Sequence, residues 1–94
     1  MSTGVKECSK ELEIVNALGL HARAASKLVS VANRYHSEVW VGSGDQEVNG
    51  KSILGVMMLA CARGMKVSIR CVGEDAEDAL SAICDLIRDG FGER

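Results

Sequence analysis

Residues 10–33 read "KELEIVNALGLHARAASKLVSVAN", and their hydrophobic period changes part-way along. "KELEIVN" alternates polar and apolar through Leu12 and Ile14, the pattern of a half-buried strand. From about Ala22 to Asn33 the apolar residues Ala25, Leu28, Val29 and Ala32 recur at i, i+3, i+4 and i+7, which gives a helix one apolar stripe. A strand with one apolar face and a helix with one apolar stripe each need a covering layer, so a sheet covered by helices is the simplest solution.

Downstream, the same two periods recur. "SEVWV" places Val39 and Val41 on one face and Glu38 and Trp40 on the other, and "GSGDQ" turns the chain into the short strand "EVN", predicting a hairpin. From Ser52, "SILGVMMLACARG" reads as a helix closed by Gly64, with Gly55 a weak point inside it. "KVSIRC" alternates again, Val67, Ile69 and Cys71 against Lys66, Ser68 and Arg70. After the acidic "GEDAED", the residues Ala76, Ala79, Leu80, Ile83, Leu86 and Ile87 form the stripe of a last helix ending at Gly90. The order is βαββαβα. Clean alternation leaves one sheet face wet, so all three helices must cover the other. The predicted fold is α+β, an open-faced sandwich of four strands with three helices on one face. Residues 10–94 form a single domain behind a flexible extension over residues 1–9.

Composition excludes several function classes. Eleven Lys and Arg against 13 Asp and Glu give a net charge of −2, and Tyr35, Trp40 and Phe91 are the only aromatics, so the chain lacks the basic groove and stacking platforms of a nucleic-acid binder. No apolar run approaches the roughly 20 residues of a membrane span, and nothing near Met1 resembles a signal peptide, which points to a cytoplasmic protein. Cys8, Cys61, Cys71 and Cys84 form no C-x-x-C pair, and only His21 and His36 could join them, so no metal site is expected. Cys61, Cys71 and Cys84 fall at apolar positions and read as small buried hydrophobes, whereas Cys8 sits in the extension.

His21 is the residue that packing does not explain. It falls between the first strand and the first helix, beside the unpaired N–H groups of Ala22, Arg23 and Ala24. Those groups suit an anion, and the positive end of the helix favours neutral imidazole, whose lone pair is a nucleophile. A phosphoryl group on a ring nitrogen would meet the same amides and the Arg23 guanidinium, with no need of a metal or cofactor. Gly19 lets the backbone turn, and the small Ala22, Ala24 and Ala25 leave room for a partner. No general-base triad, second catalytic carboxylate or cofactor loop accompanies it, so the chain suits holding a phosphoryl group more than processing a small substrate.

"GLHARAAS" at residues 19–26, followed by "VNGKSILGVMMLACARGMKVSIRCVGEDAEDAL" at 48–80, resembles the histidine-containing phosphocarrier (HPr) family of the bacterial phosphoenolpyruvate:sugar phosphotransferase system. The resemblance covers nearly everything from Lys10 onward and implies an open-faced β-sandwich, a four-stranded antiparallel sheet covered by three helices, the same architecture as read above. It implies that His21 takes phosphate on Nδ1 from enzyme I and passes it to IIA domains of sugar permeases, with Arg23 assisting. It further implies that Ser52, which would otherwise be a plain N-cap, is a target of HPr kinase/phosphorylase. Added negative charge there would repel an acidic partner.

Ile53, Leu54, Met57 and Met58 cannot all face inward at 3.6 residues per turn, so part of this run should form an exposed docking patch. The family uses this helix for docking. One departure is Ala24, where the family usually has proline; proline in a first turn costs no hydrogen bond and alanine is a good helix former, so the scaffold should survive. A nitrogen-branch (NPr-like) carrier is the alternative, suggested by "DGFGER", as is a regulatory interaction module acting through the Ser52 helix. A monomer is the default.

Overall fold

The computed structural model describes residues 6–93. Its elements are β1 (Glu7–Glu13), α1 (Ala22–Ala32), β2 (Glu38–Ser43), β3 (Gln46–Asn49), α2 (Ile53–Met58), β4 (Lys66–Val72) and α3 (Ala76–Arg88), followed by a 3-10 turn at Gly90–Gly92. The four strands form one antiparallel sheet in the order β1-β4-β2-β3. The three helices cover one face, in agreement with the fold read from the sequence.

Register explains which side chains are covered. Val39 pairs with Cys71 and Val41 with Ile69 across β2 and β4, while Leu12 pairs with Val67 across β1 and β4. Cross-strand partners share a face. All six are buried, beneath Leu28 and Ala32 from α1 and Ala79, Ile83 and Ile87 from α3. Each large apolar side chain withdrawn in this way contributes about 1.5–3 kcal/mol before entropy is counted. Cys61, Cys71 and Cys84 are buried free thiols, as their positions predicted. The opposite face stays wet: Trp40 is half-buried, its ring 5.6 Å from the guanidinium carbon of Arg70, which in turn donates to Glu47 at 2.8 and 3.0 Å.

Two boundaries and one burial differ from the sequence reading. β1 begins at Glu7, so residues 7–9 belong to the sheet and not to an extension, and residues 1–5 lie outside the described residues. The alternation was masked because the inward positions before Leu12 are Cys8 and Lys10, paired with Cys71 and Ile69. The helix opened by Ser52 ends at Met58, well short of Gly64. Ala60 takes a left-handed φ of 51°, which carries the chain away from the helix axis and brings the Cys61 carbonyl under the N–H of Leu20 at 2.9 Å. Gly64 donates instead to the carbonyl of Ile14 at 2.8 Å. Finally, Ala24 and Ala25 are fully buried, so their small size serves close packing of α1 on the sheet, and only Ala22 is open to an approaching partner.

After α3, Gly90 at φ 64° reverses the chain, as a left-handed residue past a helix end does. Phe91 then turns inward with its ring fully buried. This anchors the C-terminal segment beside the start of α1.

Candidate functional site

His21 is the N-cap residue of α1, with extended backbone at φ −72° and ψ 177°, and its carbonyl accepts the Ala25 N–H at 2.8 Å. Its position is set by Gly19 and Leu20. Leu20 is buried and bonded to Cys61, while Gly19, at φ 65°, lies so near the same segment that a Cβ would sit 2.3 Å from the Cys61 oxygen. Only glycine meets both conditions. The chain therefore passes close beneath Cys61 and releases the next side chain at the surface, where His21 is 26% exposed.

Three consecutive amides follow. No hydrogen bond among the described residues uses the N–H of Ala22, Arg23 or Ala24, as the first turn of a helix requires when its N-cap side chain is turned elsewhere. The His21 side chain makes no cap bond because Nε2 contacts the Glu93 carboxylate. Among the described residues Nδ1 has no hydrogen-bond partner. A carboxylate beside Nε2 favours the tautomer with its proton on Nε2 and its lone pair on Nδ1.

Glu93 is held in turn. The buried Asn16 amide donates from Nδ2 to Glu93 Oε1 at 3.0 Å and to the Gly19 carbonyl at 2.8 Å, while its own Oδ1 is buried without a partner. Lys27 donates to the Phe91 carbonyl at 2.6 Å, tying α1 to the same segment. The bonds from His21, then Asn16, hold the Glu93 carboxyl below its usual range. The depression around these residues is also lined by Val15, Leu18, Arg23 and Arg63, so three cations, Arg23, Lys27 and Arg63, share its lining with His21 and one carboxylate.

The second region lies on α2. The Ser52 hydroxyl accepts the Gly55 N–H at 3.1 Å and caps the helix. Ile53, Leu54, Met57 and Met58 are all exposed, and Val56 is the side chain of the helix that enters the core. Leu18, at 70% exposure, adds an apolar side chain at the edge of the His21 depression.

Sequence reasoning brought His21, Arg23 and the amides of Ala22 and Ala24 together, and the structure places them at one helix end. It missed Asn16, Lys27, Arg63 and Glu93. A hydrophobic pattern carries no signal for the return of Glu93, 72 residues from His21 in sequence. The buried Phe91 in "DGFGER" was the one available clue.

Comparison with known proteins supplies a family. Residues 8–89 match the family described as "PTS HPr component phosphorylation site". The phosphocarrier protein HPr of Neisseria meningitidis serogroup A is 49% identical over 84 residues, covering 89% of this chain and 94% of that protein. The phosphocarrier protein NPr of Shewanella violacea is 38% identical over 84 residues, covering 89% and 92%. Among solved structures, that of HPr-C-His from Thermoanaerobacter tengcongensis superposes with a TM-score of 0.89 at 40% identity, covering 93% of this chain and 98% of that one.

Proposed function

We propose, from the premise that this chain belongs to the HPr/NPr family of phosphocarriers of the phosphotransferase system, that its acceptor is Nδ1 of His21. The phosphoryl group comes from phospho-enzyme I and leaves to IIA domains of sugar permeases in the cytoplasm. The observation that supports this most directly is an Nδ1 and three amides at one helix end, all without a partner among the described residues. An arriving phosphoryl group carries negative charge that the amides of Ala22, Arg23 and Ala24 and the guanidinium of Arg23 stabilise.

In the first transfer the Nδ1 lone pair forms the N–P bond while the donor's bond to phosphorus breaks, and the departing pair stays with the donor. In the second transfer these roles reverse. Because the one carboxylate lining the site among the described residues is taken up by His21 and Asn16, the chain suits storage of the group between partners. The exposed α2 side chains, with Leu18, offer an apolar surface on which both partners could seat in turn.

Incubation with enzyme I and labelled phosphoenolpyruvate tests the reading. Acid-labile label should appear on His21 and vanish in His21→Ala; equal labelling of that variant ends the proposal. Arg23→Ala should slow transfer while leaving the fold intact, since Arg23 is exposed and forms no ion pair among the described residues. Ser52 is proposed as a kinase target, checked by ATP-dependent, acid-stable label that is lost in Ser52→Ala. A nitrogen-branch role is the alternative, suggested by the 38% identity to the Shewanella NPr protein against 49% to the Neisseria HPr, and parallel rates with the two kinds of enzyme I choose between the branches.

A further inference from the structure

We infer that Glu93 is a positioning residue for phosphoryl acceptance, holding the Nε2 proton of His21 and offsetting the positive charge the ring acquires when Nδ1 bonds to phosphorus. The inference rests on the carrier reading above and deepens it. It starts from an arrangement in which each contact has a distinct job. Glu93 touches Nε2 with one carboxylate oxygen, and the other accepts from Asn16 at 3.0 Å. Asn16 is only 6% exposed and is fixed on its other side by the Gly19 carbonyl at 2.8 Å. The carboxylate is thus oriented by a buried amide that is itself tied to the turn presenting His21. Phe91, fully buried two residues earlier, and the Lys27 bond to its carbonyl keep Glu93 from swinging into solvent.

The electron balance shows why such a group matters. When Nδ1 gives its lone pair to phosphorus, Nε2 keeps its proton and the ring becomes cationic. The bond from the donor to phosphorus breaks, and its pair remains on the donor. No proton leaves His21, so the charge must be met in place. Arg23, Lys27 and Arg63 border the depression and oppose a cationic ring, although they favour the phosphoryl oxygens. Glu93 is the carboxylate lining that depression. It serves the ring while the cations and amides serve the phosphate, a division also seen where a carboxylate stands behind a metal-bound histidine.

Glu93→Ala, Glu93→Gln and Glu93→Asp test this against the parent chain, with enzyme I and phosphoenolpyruvate as donor and proton NMR of the His21 ring as second readout. In the parent the Nε2-bound proton should be protected and resolved, and in Glu93→Ala it should be lost to solvent exchange. The rate constant for phosphorylation should fall about tenfold in Glu93→Ala, the lower end of what loss of a carboxylate behind a histidine costs elsewhere, with KM little changed. Glu93→Asp, which keeps the charge, should recover part of the rate. Glu93→Gln, which keeps the shape alone, should not. An unchanged rate in Glu93→Ala, or a ring proton equally protected there, overturns the inference while His21 labelling stands. Failure of the parent chain to label at all overturns the carrier reading instead.

Discussion

Asp75 and Ser37 are joined twice: the Asp75 carboxylate accepts both the Ser37 hydroxyl and the Ser37 N–H, the latter at 2.9 Å, and it also takes the His36 N–H at 2.9 Å. The contact ties the entrance of β2 to the start of α3. It also packs against Gly73, where an added Cβ would lie 2.4 Å from the Ser37 hydroxyl. The Ser37 hydroxyl first, then the His36 N–H, hold the Asp75 carboxyl down at about 2, below its ordinary 3.8. Since the folded-state value is the lower one, the folded state binds fewer protons between the two. The stabilisation is therefore complete above about pH 4 and is lost as pH falls toward the folded value. Urea unfolding of the parent and Asp75→Asn should show a gap in midpoint at pH 7 that narrows through this acid window. A gap that is constant with pH would refute the assignment.

Ala60 carries a left-handed backbone, φ 51°, that an L-residue adopts at a cost of roughly 1–2 kcal/mol. Glycine removes that cost but gives back part through a freer unfolded chain, about 0.4–1 kcal/mol. Ala60→Gly should therefore stabilise the protein by about 0.5–1 kcal/mol, seen as a higher urea midpoint at unchanged slope. Phosphorylation of His21 should not change.

Ser52 separates a structural role from a regulatory one. Ser52→Ala removes the acceptor of the Gly55 N–H and should cost about 1 kcal/mol while leaving transfer from enzyme I intact. Ser52→Asp keeps an acceptor, so stability should stay near that of the parent, yet its charge should slow transfer from enzyme I. Equal rates for all three proteins would remove charge at this position as a means of control.

Leu54 and Met58 are 74% and 77% exposed, the most open of the large apolar side chains described. Leu54→Glu and Met58→Glu should alter stability by no more than about 0.5 kcal/mol. If partners dock on α2, each should raise KM for enzyme I about tenfold, equivalent to about 1.4 kcal/mol of lost contact. Unchanged KM values in both would place docking elsewhere.

The legible parts of the fold were those with strong contrast between faces. Val39 and Val41, Val67 and Ile69, and the stripe from Ala76 to Ile87 declare their period locally, and their elements lie where the pattern put them. The start of β1 was hidden because Lys10 occupies an inward position at the open edge of the sheet, where its long chain can reach water. The end of α2 was hidden because Ala60 has no preference for the turn it makes; a bond from Leu20 to Cys61 across the fold imposes it. The site divides the same way. Helix-start chemistry is local, so His21, Arg23 and their amides could be read from spacing, whereas Asn16 and Glu93 meet across 77 residues through the burial of Phe91.

Trp40, the one tryptophan of the chain, lies on the sheet face that carries no helix, beside Arg70. Its fluorescence is therefore a built-in optical gauge of whether the sheet is intact, registering denaturation through loss of the neighbouring guanidinium while staying blind to whether the imidazole across the fold is loaded.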